Sequence, residues 1–184
     1  MLLNNICIIF SGYAFKSFNK NNKGIPVIKI GNITYTGQID LENCEYTSDK
    51  VNEKYLSKKE DIYIALSGAT TGKIGLMNDD GFYINQRVGI VRLINKNVPV
   101  QYLYYFLKNK TLQILNNANG VAQPNISPKE ISKYKFNMKN IDEMIKVSNE
   151  LSKIEILINH KNNELIELEK LIKSRFIGQE VCAC

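Results

Sequence analysis

The sequence is poor in the residues that most simply announce a function. Its four cysteines (Cys7, Cys44, Cys182, Cys184) form no C-x-x-C pair, and the single histidine, His160, has no metal-ligating neighbour. Zinc binding and a disulfide framework are therefore set aside, and a reducing, cytoplasmic setting is expected. No apolar run approaches the roughly 18–20 residues of a membrane span. The start, "MLLNNICIIFSGYAF", is apolar but has neither a basic n-region nor a small-residue cleavage site, so it reads as a first strand rather than a signal peptide. One histidine is also a poor beginning for a nucleophile–base constellation, and no enzyme site assembles from the pattern.

Positive charge is abundant, and unevenly placed. Residues 1–140 carry 18 Lys+Arg against 10 Asp+Glu, a net of +8, whereas residues 141–184 carry 6 against 8, a net of −2. A basic globular part joined to a mildly acidic tail suggests a polyanion partner for the first part, with solvated lysines as the plainer alternative. At 184 residues and 44% hydrophobic composition, the chain holds one ordinary core plus an appendage.

The stretch "SGATTGKIG" (67–75), after the apolar run "DIYIAL", looks at first like a nucleotide-binding loop. A P-loop reads G-x-x-x-x-G-K-[ST] and opens a helix. Here only three residues separate Gly68 from Gly72, Ile74 replaces the hydroxyl residue, and turn and strand follow. An NTP site is not expected. The alternatives are a ligand-free hairpin turn and a loop that holds some other phosphate.

Residues 1–140 read as short strands broken by turn chemistry. "GIPVIKIGNIT" (24–34), "DIYIALSG" and "GFYINQRVGIVRLI" (81–94) are strand candidates, the last alternating Tyr83, Asn85, Arg87 against Phe82, Ile84, Gln86, Val88. In 98–115 the period changes: Val100, Leu103, Tyr104, Leu107, Leu112 and Leu115 fall near helical spacing, with Pro99 at the start. "QPNISPKEISKYKFNM" (123–138) holds a turn, a short helix opened by Ser127-Pro128, and a last strand. The fold class is α+β, with a curved, mostly antiparallel sheet and short helices.

From Ile141 to about residue 176 the texture is that of one long helix. Met144, Val147, Leu151, Ile154, Ile158, Lys161, Leu165, Leu168, Ile172 and Arg175 recur by threes and fours, an a/d heptad seam without proline or glycine. A seam this long calls for a partner helix, from a second copy or another subunit, unless it lies back on its own domain. Lys161 and Arg175 at d positions favour a specific register over an extended zipper. The final residues, 177–184, show no pattern and are expected to form a disordered tail.

The succession "GIPVIKIGNI", "DIYIALSGATTGKIG", "YINQRVGIVRL", "YLYYFL", "QPNISPKEI" and a heptad helix resembles the specificity subunit of Type I restriction–modification enzymes, over residues 1 to about 176. The usual subunit has two recognition domains and two helical spacers. This chain resembles half of one, a target recognition domain (1–140) and one spacer (141–176). The resemblance implies a non-catalytic subunit that reads one half of a bipartite site on double-stranded DNA. It implies association with adenine methyltransferase subunits, which bring S-adenosylmethionine, and with a restriction subunit that can join them. It implies no cofactor in this chain and no membrane partner. The sequence has no N-P-P-[FYW] run of the kind adenine methyltransferases use and no helicase or nuclease motif.

On that reading, the N–H groups at Gly68 and Gly72, the hydroxyls of Thr70 and Thr71 and the Lys73 ammonium are candidates to hold DNA phosphates, which position without reading. Asn85 and Arg87, on one strand face, are candidates to meet base edges, since arginine pairs with guanine and asparagine or glutamine with adenine. Gln86 is either a third reader or a buried amide bonded to backbone. Gln123 is a DNA candidate, although it and Asn125 could instead cap the next helix. Lys16, Lys20 and Lys23 are phosphate candidates or simply a solvated loop. The tyrosines of "YLYY" (102–105) read as core, and Asp79-Asp80 as a hairpin turn. The helix residues Met144, Val147, Leu151, Ile154, Ile158, Leu165, Leu168 and Ile172 are expected to pair two copies of the chain. A coiled-coil adaptor or regulator without DNA reading is the competing class.

Overall fold

A computed structural model describes residues 1–117 and 125–180. Two compact units emerge, Met1–Ile145 and Lys146–Cys184. The first contains seven strands among the described residues: β1 Cys7–Ser11, β2 Ile25–Ile28, β3 Glu45–Thr47, β4 Ile62–Ala65, β5 Ile74–Leu76, β6 Tyr83–Ile84 and β7 Val88–Leu93. Three helices follow, α1 Val100–Asn117, α2 Pro128–Ile131 and α3 Ile141–Glu180, of which α3 continues through the second unit.

The expected α+β, mostly antiparallel architecture is present, but the strands divide between two sheets. One has the order β1-β7-β4-β5 and is antiparallel throughout; the other has the order β3-β2-β6, with β2 antiparallel to β3 and parallel to β6. Strand β4 explains the unbroken apolar run of "DIYIAL". Successive side chains point to opposite faces, and both faces are covered. Ile62 and Ile64 join Leu103 and Leu107 of α1 in one core cluster, while Tyr63 and Ala65 join Ile28 and Ile84 of the second sheet in another. A central strand buried on both sides has no polar face to show in the sequence.

Helix α1 begins just after Pro99, whose carbonyl accepts from the N–H groups of Tyr102 and Leu103. Its buried stripe is Leu103, Tyr104, Leu107 and Thr111 rather than the full expected set, since Leu112 is 51% exposed. The Thr111 hydroxyl satisfies itself on the carbonyls of Leu107 and Lys108, the local bond that lets threonine occupy a buried helix position. Tyr104 is buried and Tyr102 and Tyr105 pack on the same cluster, so "YLYY" is core.

The short helix α2 is opened by a capping box with Ser127 as the N-cap, not by Asn125. The Ser127 hydroxyl accepts from Glu130 N–H and the Glu130 carboxylate accepts from Ser127 N–H at 2.8 Å. The Ser127 N–H, then the Ser127 hydroxyl donating to the same carboxylate at 2.8 Å, hold the Glu130 carboxyl below its ordinary range. The expected last strand reduces to a bridge between Leu2 and Lys135.

Helix α3 has 40 residues, about 60 Å at 1.5 Å per residue. It runs to Glu180, so the expected tail at 177–184 begins inside the helix, and residues 181–184 lie outside the described ones. The domain boundary and the start of the seam also move. Met144 is fully buried in the core of the first unit, beside Leu3 and Phe136 in one cluster, and is not available to a partner helix. Val147 and Leu151 are half-buried, whereas Ile154, Ile158, Leu165, Leu168 and Ile172 are each more than half exposed. Leu157 and Leu171, also exposed, stand at g positions beside the a residues and widen the apolar stripe.

Candidate nucleic-acid interface

The loop after β4 is the return of a hairpin: Ile64 pairs with Ile74, and β5 rather than a helix follows. That geometry removes the helix N-terminus on which a P-loop depends. The return is closed by Ala65 N–H to Lys73 O at 2.9 Å, Gly72 N–H to Ala65 O at 2.9 Å and Lys73 N–H to Thr70 O at 3.1 Å. Gly68 and Gly72 have φ of +90° and +83°, the left-handed region that glycine alone enters cheaply. A Cβ at Gly72 would in addition overlap Leu115 of α1.

These bonds redistribute the expected phosphate donors. Thr71 is buried and gives its hydroxyl to Gly68 O at 2.6 Å, so it closes the loop and offers nothing outward. The Gly72 N–H is likewise spent. The Gly68 and Ala69 N–H groups donate to no acceptor among the described residues, and the buried Thr70 Oγ1 has no partner among them either. Lys73 remains, its Nζ 3.5 Å from the centre of the Tyr35 ring.

Asn85, Gln86 and Arg87 do not lie on a strand. They form the turn between β6 and β7, closed by Val88 N–H to Asn85 O at 2.9 Å and held by Gln86 N–H to Tyr13 O at 2.9 Å. The expected face shared by Asn85 and Arg87 is therefore absent, because the alternation stops at Ile84. Arg87 instead donates its N–H to the Asn85 side chain at 3.3 Å. Both Gln86 and Arg87 are exposed, which removes the buried-amide alternative for Gln86. Arg87 has no carboxylate partner among the described residues.

Backbone bonds bring this turn to the loop. Leu66 N–H donates to Arg87 O at 2.9 Å, and Leu66 O accepts from Ile126 N–H at 2.9 Å. The end of β4 thus gathers three connections: the 66–73 return, the 85–87 turn, and the chain at 125–127. Gln123 lies outside the described residues. A fourth connection was not among the expected ones. The turn 34–38 is tied to β5 by Leu76 N–H to Gly37 O at 3.1 Å and carries Tyr35, 82% exposed, to Lys73. The signal for it was an aromatic inside the turn sequence "TYTGQ", where burial is not available.

The candidate lysines between β1 and β2 are not all brought in. Lys16 follows Tyr13, which bridges to Asn85, and its N–H donates to Asp49 at 3.0 Å. That bond leads the interactions holding the Asp49 carboxyl below its usual range. Lys20 and Lys23 lie beyond the opposite end of β2: Ile28 O accepts from Asn85 N–H, and Lys23 precedes the strand. Five extended residues separate those points by roughly 15 Å.

The charged residue that sequence reasoning missed altogether is Arg92, which pairs with Asp61 at the far ends of β7 and β4. Asp61 is fully buried, and Tyr63 beside it has its phenol pushed upward by burial, then by the Asp61 charge.

Comparison with known proteins gives one consistent answer. The family model of the Type I restriction modification DNA specificity domain matches residues 1–170. The MjaVIII specificity subunit of Methanocaldococcus jannaschii, a Type I restriction enzyme, is 26% identical over 181 residues, covering 93% of this chain. Among solved structures, the HsdS subunit from Thermoanaerobacter tengcongensis superposes with a TM-score of 0.67 at 15% identity over 86% of this chain. A chain solved for complex assembly and conformational transition of the type I R-M system gives 0.74 at 15% identity over 94%. This chain spans 42% of the length of the curated relative, 37% of the T. tengcongensis subunit and 42% of the other solved chain.

Proposed function

The chain belongs to the Type I restriction modification DNA specificity family, and from that premise we propose that it reads one half of a bipartite site on double-stranded DNA. It is a recognition subunit without catalysis of its own, recruiting adenine methyltransferase subunits that bring S-adenosylmethionine, and a restriction subunit with them. The observation that carries the reading is the convergence at one end of β4. A glycine loop whose lysine has no carboxylate partner among the described residues, an exposed turn with Gln86 and Arg87, and the Tyr35 turn meet there through named backbone bonds and the Lys73–Tyr35 contact. Lysine and backbone donors fix a protein on phosphates; arginine, glutamine and asparagine on an adjoining turn supply the groups that discriminate bases.

Two copies join through α3, whose apolar stripe from Ile154 to Ile172 is exposed. Antiparallel pairing gives two-fold symmetry and hence an interrupted palindrome as the site. An adaptor without DNA reading is disfavoured by a family match that takes in the whole basic part of the chain. With DNA as its substrate the complex works in the cytoplasm; no described helix is long and apolar enough to cross a membrane. The reading is tested by selecting duplexes from a random pool with the chain and its methyltransferase subunits. Enrichment of a single two-part motif supports it, and a pool left unenriched over its starting composition contradicts it.

A further inference from the structure

Among the described residues Lys29, Lys54, Lys73 and Lys108 lie over aromatic rings, and the two that lie nearest their rings, Lys29 and Lys73, differ in one respect. Lys29 Nζ is 3.4 Å from the Phe18 ring centre and is also paired with the Glu45 carboxylate. Its charge is answered within the protein. Lys73 Nζ is 3.5 Å from the Tyr35 ring centre and has no carboxylate or other hydrogen-bond acceptor among the described residues. Lys73 is half-buried, and the ring it lies over is 82% exposed.

Tyr35 is more exposed than any other large hydrophobic side chain among the described residues. Its turn is nonetheless fixed. Thr34 N–H donates to Gln38 O at 2.9 Å, the Thr34 hydroxyl accepts from Gln38 N–H at 3.0 Å, and Gly37 O accepts from Leu76 N–H at 3.1 Å. Gly37, at φ +83°, has no room for a Cβ because the Tyr104 hydroxyl of α1 occupies that space. The ring is therefore presented from a base anchored on both β5 and α1. A lysine ammonium on a four-carbon stem loses much rotamer freedom when it grips a phosphate. A ring face that already holds the stem in place lowers that loss, while the cation–π attraction uses none of the ammonium's hydrogen-bond capacity on a protein acceptor.

We infer that Tyr35 is a positioning residue, holding Lys73 ready for a phosphate of duplex DNA. The inference rests on the DNA-reading proposal and adds to it the residue that makes the loop lysine effective. Phosphate contact does not depend on sequence, so the probe is a random-sequence duplex, titrated with the full chain across a series of salt concentrations. Lys73→Ala lowers the salt slope by about one unit. Tyr35→Ala weakens binding roughly three-fold, in keeping with an exposed cation–π pair, and Tyr35→Phe leaves it at the wild-type value. In a Lys73→Ala background, Tyr35→Ala changes nothing further. The melting temperature serves as the folding control and stays at the wild-type value in all four variants. Wild-type affinity for Tyr35→Ala overturns the inference, as does an equal loss in both backgrounds, which would make the ring a DNA contact in its own right. A wild-type chain that binds no duplex at any salt contradicts the DNA-reading proposal itself, a result separable from the other two.

Discussion

The guanidinium of Arg92 holds both carboxylate oxygens of Asp61, Nε to Oδ1 at 2.7 Å and Nη2 to Oδ2 at 2.6 Å. Asp61 is fully buried and also accepts from Lys58 N–H at 2.9 Å, while Arg92 Nη2 reaches Leu56 O at 2.9 Å. The pair joins the ends of β4 and β7 opposite to the loop end. Removing one partner strands a buried charge, so Arg92→Ala is expected to cost about 3–5 kcal/mol in denaturant unfolding. At a temperature where the variant remains folded, its DNA preference is expected to be that of the wild type.

Arg87 is the reverse case. It is exposed, lies on a turn and has no carboxylate partner among the described residues, so Arg87→Ala is expected to leave the melting temperature unchanged. Its loss is expected to cost on the order of 1–3 kcal/mol on the cognate duplex and little on a scrambled one. Measuring melting and both affinities for the two arginine variants separates a reading residue from a structural one.

How much of this was legible in the sequence depended on where the deciding partner lay. The β4 run, the helix α1 after Pro99 and the long α3 follow from period and composition. The Asn85–Arg87 turn does not, because the alternation of "GFYINQRVGIVRL" passes through it unbroken. Its hydrogen bonds come from Tyr13 and Leu66, residues 73 and 21 positions away from their partners Gln86 and Arg87. Arginine identity was equally silent: Arg87 and Arg92 lie five apart in one apparent strand, and only the burial of Asp61 tells the structural one. Thr71 was misjudged as an outward donor because a tight glycine return turns its hydroxyl back on Gly68.

Burial pushes the Cys7 thiol up to about 12, and burial followed by the Asp40 charge pushes Cys44 up to about 11. An ordinary thiol near 9 ionises first in the unfolded chain. The stabilisation from the neutral buried thiols is therefore complete below about pH 9 and is lost as pH rises toward 11–12. Urea unfolding at pH 8 and pH 10.5 is expected to show a fall in stability, shallower in Cys7→Ala. A thiol reagent at pH 8 is expected to label both residues only as fast as the protein opens.

Leu151 and Leu165 occupy a positions of the α3 seam, and Leu165 is 58% exposed. Replacing both with Asp is expected to turn a dimer into a monomer in light scattering, while the melting of the Met1–Ile145 unit is retained. A wild-type chain that is monomeric at tens of micromolar would remove the two-copy assembly.

The central claim is that this chain directs modification to one DNA sequence. The most direct test is single-molecule methylome sequencing of cells that express the chain with its methyltransferase subunits. Methylated adenine at one interrupted palindrome is the expected result, with that motif relaxed at one position per half-site by Arg87→Ala. Methylation absent in the presence of chain and methyltransferase, or spread without a motif, would contradict the account.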